Sequence, residues 1–386
     1  MTDPGNDERR GSNAVRPAVG LKKKIIFSSV AVLAALALVY GGFLFWRAFS
    51  AYHYLKSGRP GWQGQVFKAD PALGFAPLGR SQAAQIGPGF KTPVKFDAQG
   101  FRIAAGEDAD RQFRRPLVLA LGCSYTFGHG VPAEKTFSYL VAEHWNGSEL
   151  NAGLPTYGLA QMILLAQKLI PQYRPEYVLV QYSTWLAGRG IWPMGISYPG
   201  KLPSPYFTES AGKLVVQPPL FRPKIFELPI SQYRETPASF LDALSFLKNA
   251  GLPLLLHDDC HVAVMEAKLL SGTVPKPVPA ERRQDVIETV YGRIGELCAQ
   301  NGSRMVVVIL HDPEADDPYL KPPTLKGALM VNPDPALRQS LKDQSADSYY
   351  RTYALVVGAP PEQTDRHPNE LANRIIADQI IRAIEN

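Results

Sequence analysis

Three side chains at two distant points of this 386-residue chain are the ones best suited to chemistry. Ser124 lies in the run Leu121-Gly122-Cys123-Ser124-Tyr125-Thr126-Phe127-Gly128, and Asp365 and His367 lie in Asp365-Arg366-His367-Pro368. A serine hydroxyl is a poor nucleophile at neutral pH unless a neighbouring imidazole accepts its proton. A carboxylate can then hold that imidazole in the right tautomer and stabilise its cation. The chain order Ser, Asp, His matters less than these roles, because the same geometry recurs on unrelated folds. Each residue also has a purely structural reading: Ser124 as a helix N-cap after a strand, His367 as a surface residue, and Asp365 as a cap of the last helix.

Bringing these residues together requires a fold that closes about 240 intervening residues. Segments 116–121, 149–152, 177–182, 304–310 and 353–357 read as strands, and 135–146, 158–170, 236–250, 281–300 and 369–385 as helices. Tyr177 to Tyr182 and Met305 to Leu310 are almost unbroken apolar runs, the pattern of strands buried on both faces of a parallel sheet. Pro368 suits the first position of the last helix. The alternation predicts an α/β fold, a three-layer α/β/α sandwich with a doubly wound parallel sheet. Ligands of such folds lie beyond the carboxyl ends of the strands, and Ser124 follows such an end.

The block around Ser124 resembles the Gly-Asp-Ser motif of the SGNH/GDSL hydrolases, with Cys123 where Asp is usual, and continues into Gly128-His129-Gly130-Val131-Pro132. Asn151-Ala152-Gly153-Leu154 resembles the second block of that family, and Asp365-x-His367-Pro368-Asn369 the last. The resemblance covers most of residues 95–386. It implies an SGNH/flavodoxin-like fold and a Ser124, Asp365, His367 triad. It also implies an oxyanion hole built from the backbone N–H groups of Ser124 and Gly153. Two departures stand out. The usual Asp-x-x-His spacing would put the carboxylate at Thr364. The usual third oxyanion donor, an Asn after the third strand, is absent from Gln181-Tyr182-Ser183-Thr184-Trp185-Leu186-Ala187-Gly188-Arg189; Thr184, Trp185, Ser183 or Arg189 would have to substitute. Each such donor contributes about 3 kcal/mol to lowering the barrier.

Other residues invite competing readings. Cys123 adjoins Ser124 and is itself a nucleophile type, but the resemblance points to the serine. His257-Asp258-Asp259-Cys260-His261 has residue types that suit zinc, yet no second ligand cluster accompanies it, and a polar loop is the simpler reading. His129 is expected to shape the mouth of the site rather than act as base, and His311-Asp312 to line the cleft. No cofactor and no metal are expected. Three cysteines in an exported domain permit one disulfide and leave one thiol over.

Net charge is +6, and half of it lies in residues 1–24. That distribution argues against a nucleic-acid surface, which needs a clustered basic face. Ile25 to Trp46 is an uncharged apolar run of 22 residues, long enough to cross a bilayer. Its length and the Trp46-Arg47 flank favour a retained anchor over a cleavable signal peptide. Basic residues concentrate before it, so the N-terminus is expected in the cytoplasm and the domain in the periplasm or another extracytoplasmic space. The expected organisation is a basic tail (1–24), a membrane anchor (25–46), a stalk (47–95) and an SGNH-like domain (96–386) with an insertion at 186–280. The expected function is a membrane-anchored serine esterase or O-acyltransferase. It would work through an acyl-serine on an acylated small molecule or polysaccharide of the envelope. The alternative is a catalytically weakened SGNH-like binding or scaffold protein.

Overall fold

A computed structural model describes residues 20–57, 61–87, 89–197, 200–227, 241, 244–245, 248–249, 252–356 and 365–386. Two compact units divide the chain between Tyr52 and His53. The first carries most of helix α1 (Leu21–Ser57). Its stretch Lys22–Trp46 has a mean hydropathy of 2.2 and no buried residue in its most apolar window. By length and composition this stretch is able to cross a membrane.

The second unit is built on nine strands: β1 (Gly61–Gln63), β2 (Gln82–Gly87), β3 (Phe90–Phe96), β4 (Arg102–Ile103), β5 (Leu117–Leu121), β6 (Ser148–Asn151), β7 (Tyr177–Tyr182), β8 (Arg304–Ile309) and β9 (Leu329–Val331). They lie in the order β1-β2-β3-β4-β6-β5-β7-β8-β9. Strands β6, β5, β7, β8 and β9 are mutually parallel, and β1 to β4 extend that core as antiparallel strands. Every residue of β5 and β6 is buried, as expected for strands covered on both faces. The helices are α2 (Ser124–Phe127), α3 (Phe137–His144), α4 (Leu159–Tyr173), α5 (Trp185–Ile191), α6 (Leu252–Ser271), α7 (Arg283–Asn301), α8 (Asp334–Gln339), α9 (Ala346–Tyr353) and α10 (Glu370–Glu385). Helices α3 and α10 pack together on the sheet, and α4, α5 and α7 form a second packed group. This is the expected three-layer sandwich.

Three expectations need correction, and a fourth is not tested. Residues 61–96 do not form a stalk: they supply β1, β2 and β3 and a hairpin between Phe67–Asp70 and Gly74–Pro77. The density of glycine and proline suggested loop, whereas burial in β3 alternates residue by residue at Thr92, Val94 and Phe96. The fifth parallel strand is β9, not 353–357. Ala354–Val356 instead pairs with Asp365–Pro368 in a separate two-stranded sheet. Residues 252–271 are helical where a loop was expected around His257. The helix expected at 236–250 falls largely outside the described residues. In the insertion, Tyr206–Ser210 and Lys213–Gln217 form the expected hairpin, with Ala211 and Gly212 at φ 49° and 75°, the signature of a tight hairpin turn.

One buried arginine ties the antiparallel extension to the site. Arg102, at the start of β4, is fully buried. Its guanidinium donates to the carbonyls of Phe127, Gly128 and Val131 and lies 4.3 Å over the Phe127 ring. It therefore closes the carboxyl end of α2 and holds the loop that follows.

Candidate active site

Strand β5 ends at Leu121, and the chain turns through Gly122 and Cys123 into α2. A Cβ on Gly122 would lie 2.1 Å from Thr126 Oγ1 and 2.6 Å from Gln181 Oε1, so only glycine lets the turn close onto β7. Gln181 is the hub of this turn. Its Oε1 accepts from the N–H groups of Cys123 (3.0 Å) and Thr126 (3.3 Å) and from the Thr126 hydroxyl (2.8 Å). Its Nε2 donates to Ser183 Oγ at 2.9 Å and to Cys123 Sγ at 3.2 Å. A buried amide satisfied at both ends fixes its neighbours in one arrangement. The sequence signal was present: a lone polar residue within a buried strand needs a reason.

Cys123 is fully buried. Burial pushes its thiol up, but nearby Arg189 and hydrogen bonds from the Tyr125 backbone, Trp185 and Gln181 outweigh this and hold it below its ordinary value. The sulfur thus accepts donors at the position where the resemblance has a carboxylate, and its burial keeps it from acting as the nucleophile. Ser124 opens α2 and is 7% exposed. The early N–H groups of a helix lack intrahelical acceptors. That of Tyr125 goes to Cys123 and that of Thr126 to Gln181, while that of Ser124 has no acceptor among the described residues. The Ser124 hydroxyl makes one weak contact, to Cys123 Sγ at 3.8 Å.

Asp365 and His367 lie on the short strand Asp365–Pro368, which packs against α2. In extended chain, residues two apart point to the same side. That is why Asp-x-His works here: Asp365 Oδ1 lies 2.6 Å from His367 Nδ1. Thr364, the position of the usual spacing, is outside the described residues. His367 Nε2 has no hydrogen-bond partner among the described residues. The His367 ring lies 5.2 Å from that of Tyr125, the residue after Ser124. The Tyr125 hydroxyl in turn lies 3.3 Å from the Arg366 carbonyl and 3.4 Å from Asp312 Oδ2. The structure therefore brings the Asp365–His367 pair to the α2 end of the sheet, although no hydrogen bond joins Ser124 to His367.

The same carboxylate serves a second imidazole. Asp365 Oδ2 is 3.2 Å from His129 Nε2, and the rings of His129 and His367 stack at 4.0 Å and 20°. Burial would raise the Asp365 carboxyl, but hydrogen bonds from His129 and His367 outweigh it and hold it far below the usual carboxylate range. Burial, with His367 adding to it, lowers His129 to about 4. His129 thus shares its carboxylate with His367.

The expected oxyanion donors are placed less favourably. The Gly153 N–H donates to Asn151 Oδ1 at 3.1 Å, and Gly153 packs so tightly on α2 that a Cβ would lie 2.9 Å from Phe127 N. Thr184 and Trp185 are not free substitutes for the absent Asn. The Thr184 hydroxyl donates to Asp316 Oδ1 (3.1 Å) and accepts from the Asp317 N–H (3.0 Å), and the Trp185 side chain hydrogen-bonds Cys123. Ser183 donates to the Leu310 carbonyl, and Arg189 reaches the Tyr157 carbonyl at 3.4 Å. The loop 312–317 claims the first of these groups, and sequence spacing carries no sign of it.

Of the remaining expectations, His311 pairs with Asp316 at 2.7 Å rather than with its neighbour Asp312. His257 and His261 stack on α6 at 4.1 Å, but Asp258 accepts the N–H groups of Lys224 and Ile225, both at 2.9 Å. The cluster therefore pins a loop to the helix. Cys123, Cys260 and Cys298 are all free thiols.

No family model and no curated protein matches the chain. Solved structures similar to it include a protein described as lipolytic, of the G-D-S-L family, from Desulfitobacterium hafniense: 11% identity, TM-score 0.34, 70% of this chain and 99% of that one. Another is the psychrotrophic esterase EstA of a Pseudoalteromonas species, at 13% identity and a TM-score of 0.32, covering 70% of this chain and 97% of that one. A third is a family 2 carbohydrate esterase from Corynascus thermopiles, at 10% and 0.30, covering 79% of this chain and 73% of that one. At these scores the likeness carries no argument about activity, which rests on the site itself.

Proposed function

We propose that the chain is a serine esterase or O-acyltransferase that passes an acyl group through Ser124. The observation that carries this is the 2.6 Å pair of Asp365 and His367 on an extended strand packed against the helix that Ser124 opens. In the reaction, Ser124 Oγ leaves its weak contact with Cys123 and gives its proton to His367 Nε2 as it bonds to the ester carbonyl carbon. The Ser124 N–H is the one α2 donor open to the resulting oxyanion. Collapse breaks the ester C–O bond, and His367 returns the proton to the departing alcohol. Water then releases the acid, or a sugar hydroxyl takes the acyl group, by the same steps in reverse. Catalytic hydrogen bonds are often long before substrate binds, which accommodates the open Ser124–His367 link. Helix α1 is proposed as a retained single-pass anchor that leaves the domain on the extracytoplasmic face, where O-acylated envelope polysaccharide is a fitting substrate class.

A second reading, a catalytically weakened binding or scaffold protein, is favoured by one observation: the Gly153, Thr184 and Trp185 donors are all engaged elsewhere. A fluorophosphonate probe on the full-length protein in detergent separates the two. Labelling that disappears in Ser124→Ala supports the enzyme; an unlabelled wild type supports the scaffold. Hydrolysis of p-nitrophenyl acetate with and without a glycan acceptor then divides esterase from transferase.

A further inference from the structure

We propose that His129 is a positioning residue of the catalytic site: it binds the second oxygen of Asp365 and so fixes the carboxylate that orients His367. The inference rests on the triad reading above and deepens it. It follows from a chain of hydrogen bonds in which each link dictates the next. The Gly130 N–H donates at 2.8 Å to one end of the Gln85 side-chain amide, which must be its oxygen. The other end is therefore NH₂, and it lies 2.6 Å from His129 Nδ1. That nitrogen can only accept, so neutral His129 carries its proton on Nε2. The nitrogen that bears it lies 3.2 Å from Asp365 Oδ2. Asp365 Oδ1 is left to His367 Nδ1 at 2.6 Å. His367 then carries its own proton on Nδ1 and presents a bare Nε2, the form a general base requires.

Two alternatives fail on the same geometry. His129 is not itself the base, because both of its ring nitrogens are engaged. The three side chains bring possible metal-ligand atoms within 4.8 Å of one another. A metal, however, sits near the plane of each imidazole that binds it, and these two rings are nearly parallel and stacked. A carboxylate bridging two N–H donors fits that arrangement better. Gln85 is 2% exposed and sits on β2, so the antiparallel extension of the sheet reaches the site through this amide as well as through Arg102. The Gly130 carbonyl is held as well, by the Thr92 hydroxyl of β3 at 2.7 Å.

The test compares wild type, His129→Gln and His129→Phe in full-length protein, reading the pH profile of kcat/KM for p-nitrophenyl acetate. The charged and titratable groups facing His129 and His367 are Asp365, Arg102 and Tyr125, with Asp312 and Arg366 behind Tyr125; all are left intact. Glutamine retains an N–H donor at the depth of Nε2, whereas phenylalanine keeps the ring stack and loses the donor. The expected result is a roughly tenfold or larger fall in kcat for His129→Phe, with little change in KM and an acid limb moved to higher pH. His129→Gln should restore most of the rate and the limb. Equal profiles for wild type and His129→Phe in folded protein would overturn the proposal. An inactive wild type would instead sink the esterase reading. In that case imidazole ¹⁵N spectra still decide: His129 must be the Nε2–H tautomer at neutral pH. An Nδ1–H His129 in the wild type overturns the proposal whatever the activity.

Discussion

Two polar clusters hold the loop 127–131, and they differ in what they can do. In one, Arg102 grips the carbonyls of Phe127, Gly128 and Val131 from a position sealed from solvent, with Glu149 buried nearby. In the other, His129 reaches from that loop to Asp365, which it shares with His367, and all three side chains are 15–25% exposed. The sealed cluster uses a charge that hardly titrates to hold backbone. The half-open cluster uses groups able to exchange protons, and it leaves one nitrogen of His367 unoccupied. A buried ion without access serves geometry; chemistry needs the same residue types where a substrate can arrive.

The largest effect should come from breaking the sealed side. Arg102→Met leaves three carbonyls without their donor and should cost about 3–5 kcal/mol in chemical denaturation, with loss of any fluorophosphonate labelling as α2 loses its end. Gly122→Ala attacks the same turn from its other side. With a Cβ 2.1 Å from Thr126 Oγ1 and 2.6 Å from Gln181 Oε1, a loss of about 2–4 kcal/mol is expected.

The pH dependence of stability sharpens the contrast, because the clusters act with opposite sign. Burial pushes the Glu149 carboxyl up to about 7, so the folded chain binds its proton more tightly than the unfolded one. Its contribution is complete below about pH 4.5 and is lost as pH rises through 7. His129 is held down to about 4, so the fold resists its protonation. That contribution is complete above about pH 6.5 and is lost as pH falls toward 4. Each difference amounts to about 3 kcal/mol. Glu149→Gln should therefore gain on wild type in melts at about pH 8 and not at about pH 4.5, while His129→Gln should gain only at the acid end. The same sign for both variants would dissolve the distinction drawn here.

The smallest effect concerns the engaged donors. Thr184→Val should change kcat/KM less than about threefold, because its hydroxyl serves Asp316 and Asp317 rather than an oxyanion. A loss of a hundredfold, the scale of a removed oxyanion donor, would mean that substrate draws Thr184 away from that loop.

How much was legible divides along the same line. The unbroken apolar runs of β5, β7 and β8 announced a covered parallel sheet, and the Gly-Cys-Ser turn announced a helix start beyond a strand. The antiparallel extension did not show, since β1 and β4 are three and two residues long and periodicity over so few residues is weak. Asp365 and His367 were legible as a pair because extended chain brings i and i+2 together locally. Gln85 and Arg102 were not, because they act on partners 44 and 25 residues away; Gln181 showed only as a polar residue in a buried strand, its partner Cys123 lying 58 residues away.

By itself, then, the amino-acid order determined which residues have the chemistry of a nucleophile, base and carboxylate, and which stretches are apolar enough to be sheet or to lie in lipid. These properties are intrinsic to side chains or to neighbours along the chain. Only the tertiary structure decided that His129 shares the carboxylate of Asp365, that Thr184 and Trp185 are engaged elsewhere, and that residues 61–96 belong to the sheet. Hydrogen bonds between distant segments are set by strand order and register, and those emerge only when the whole core is packed.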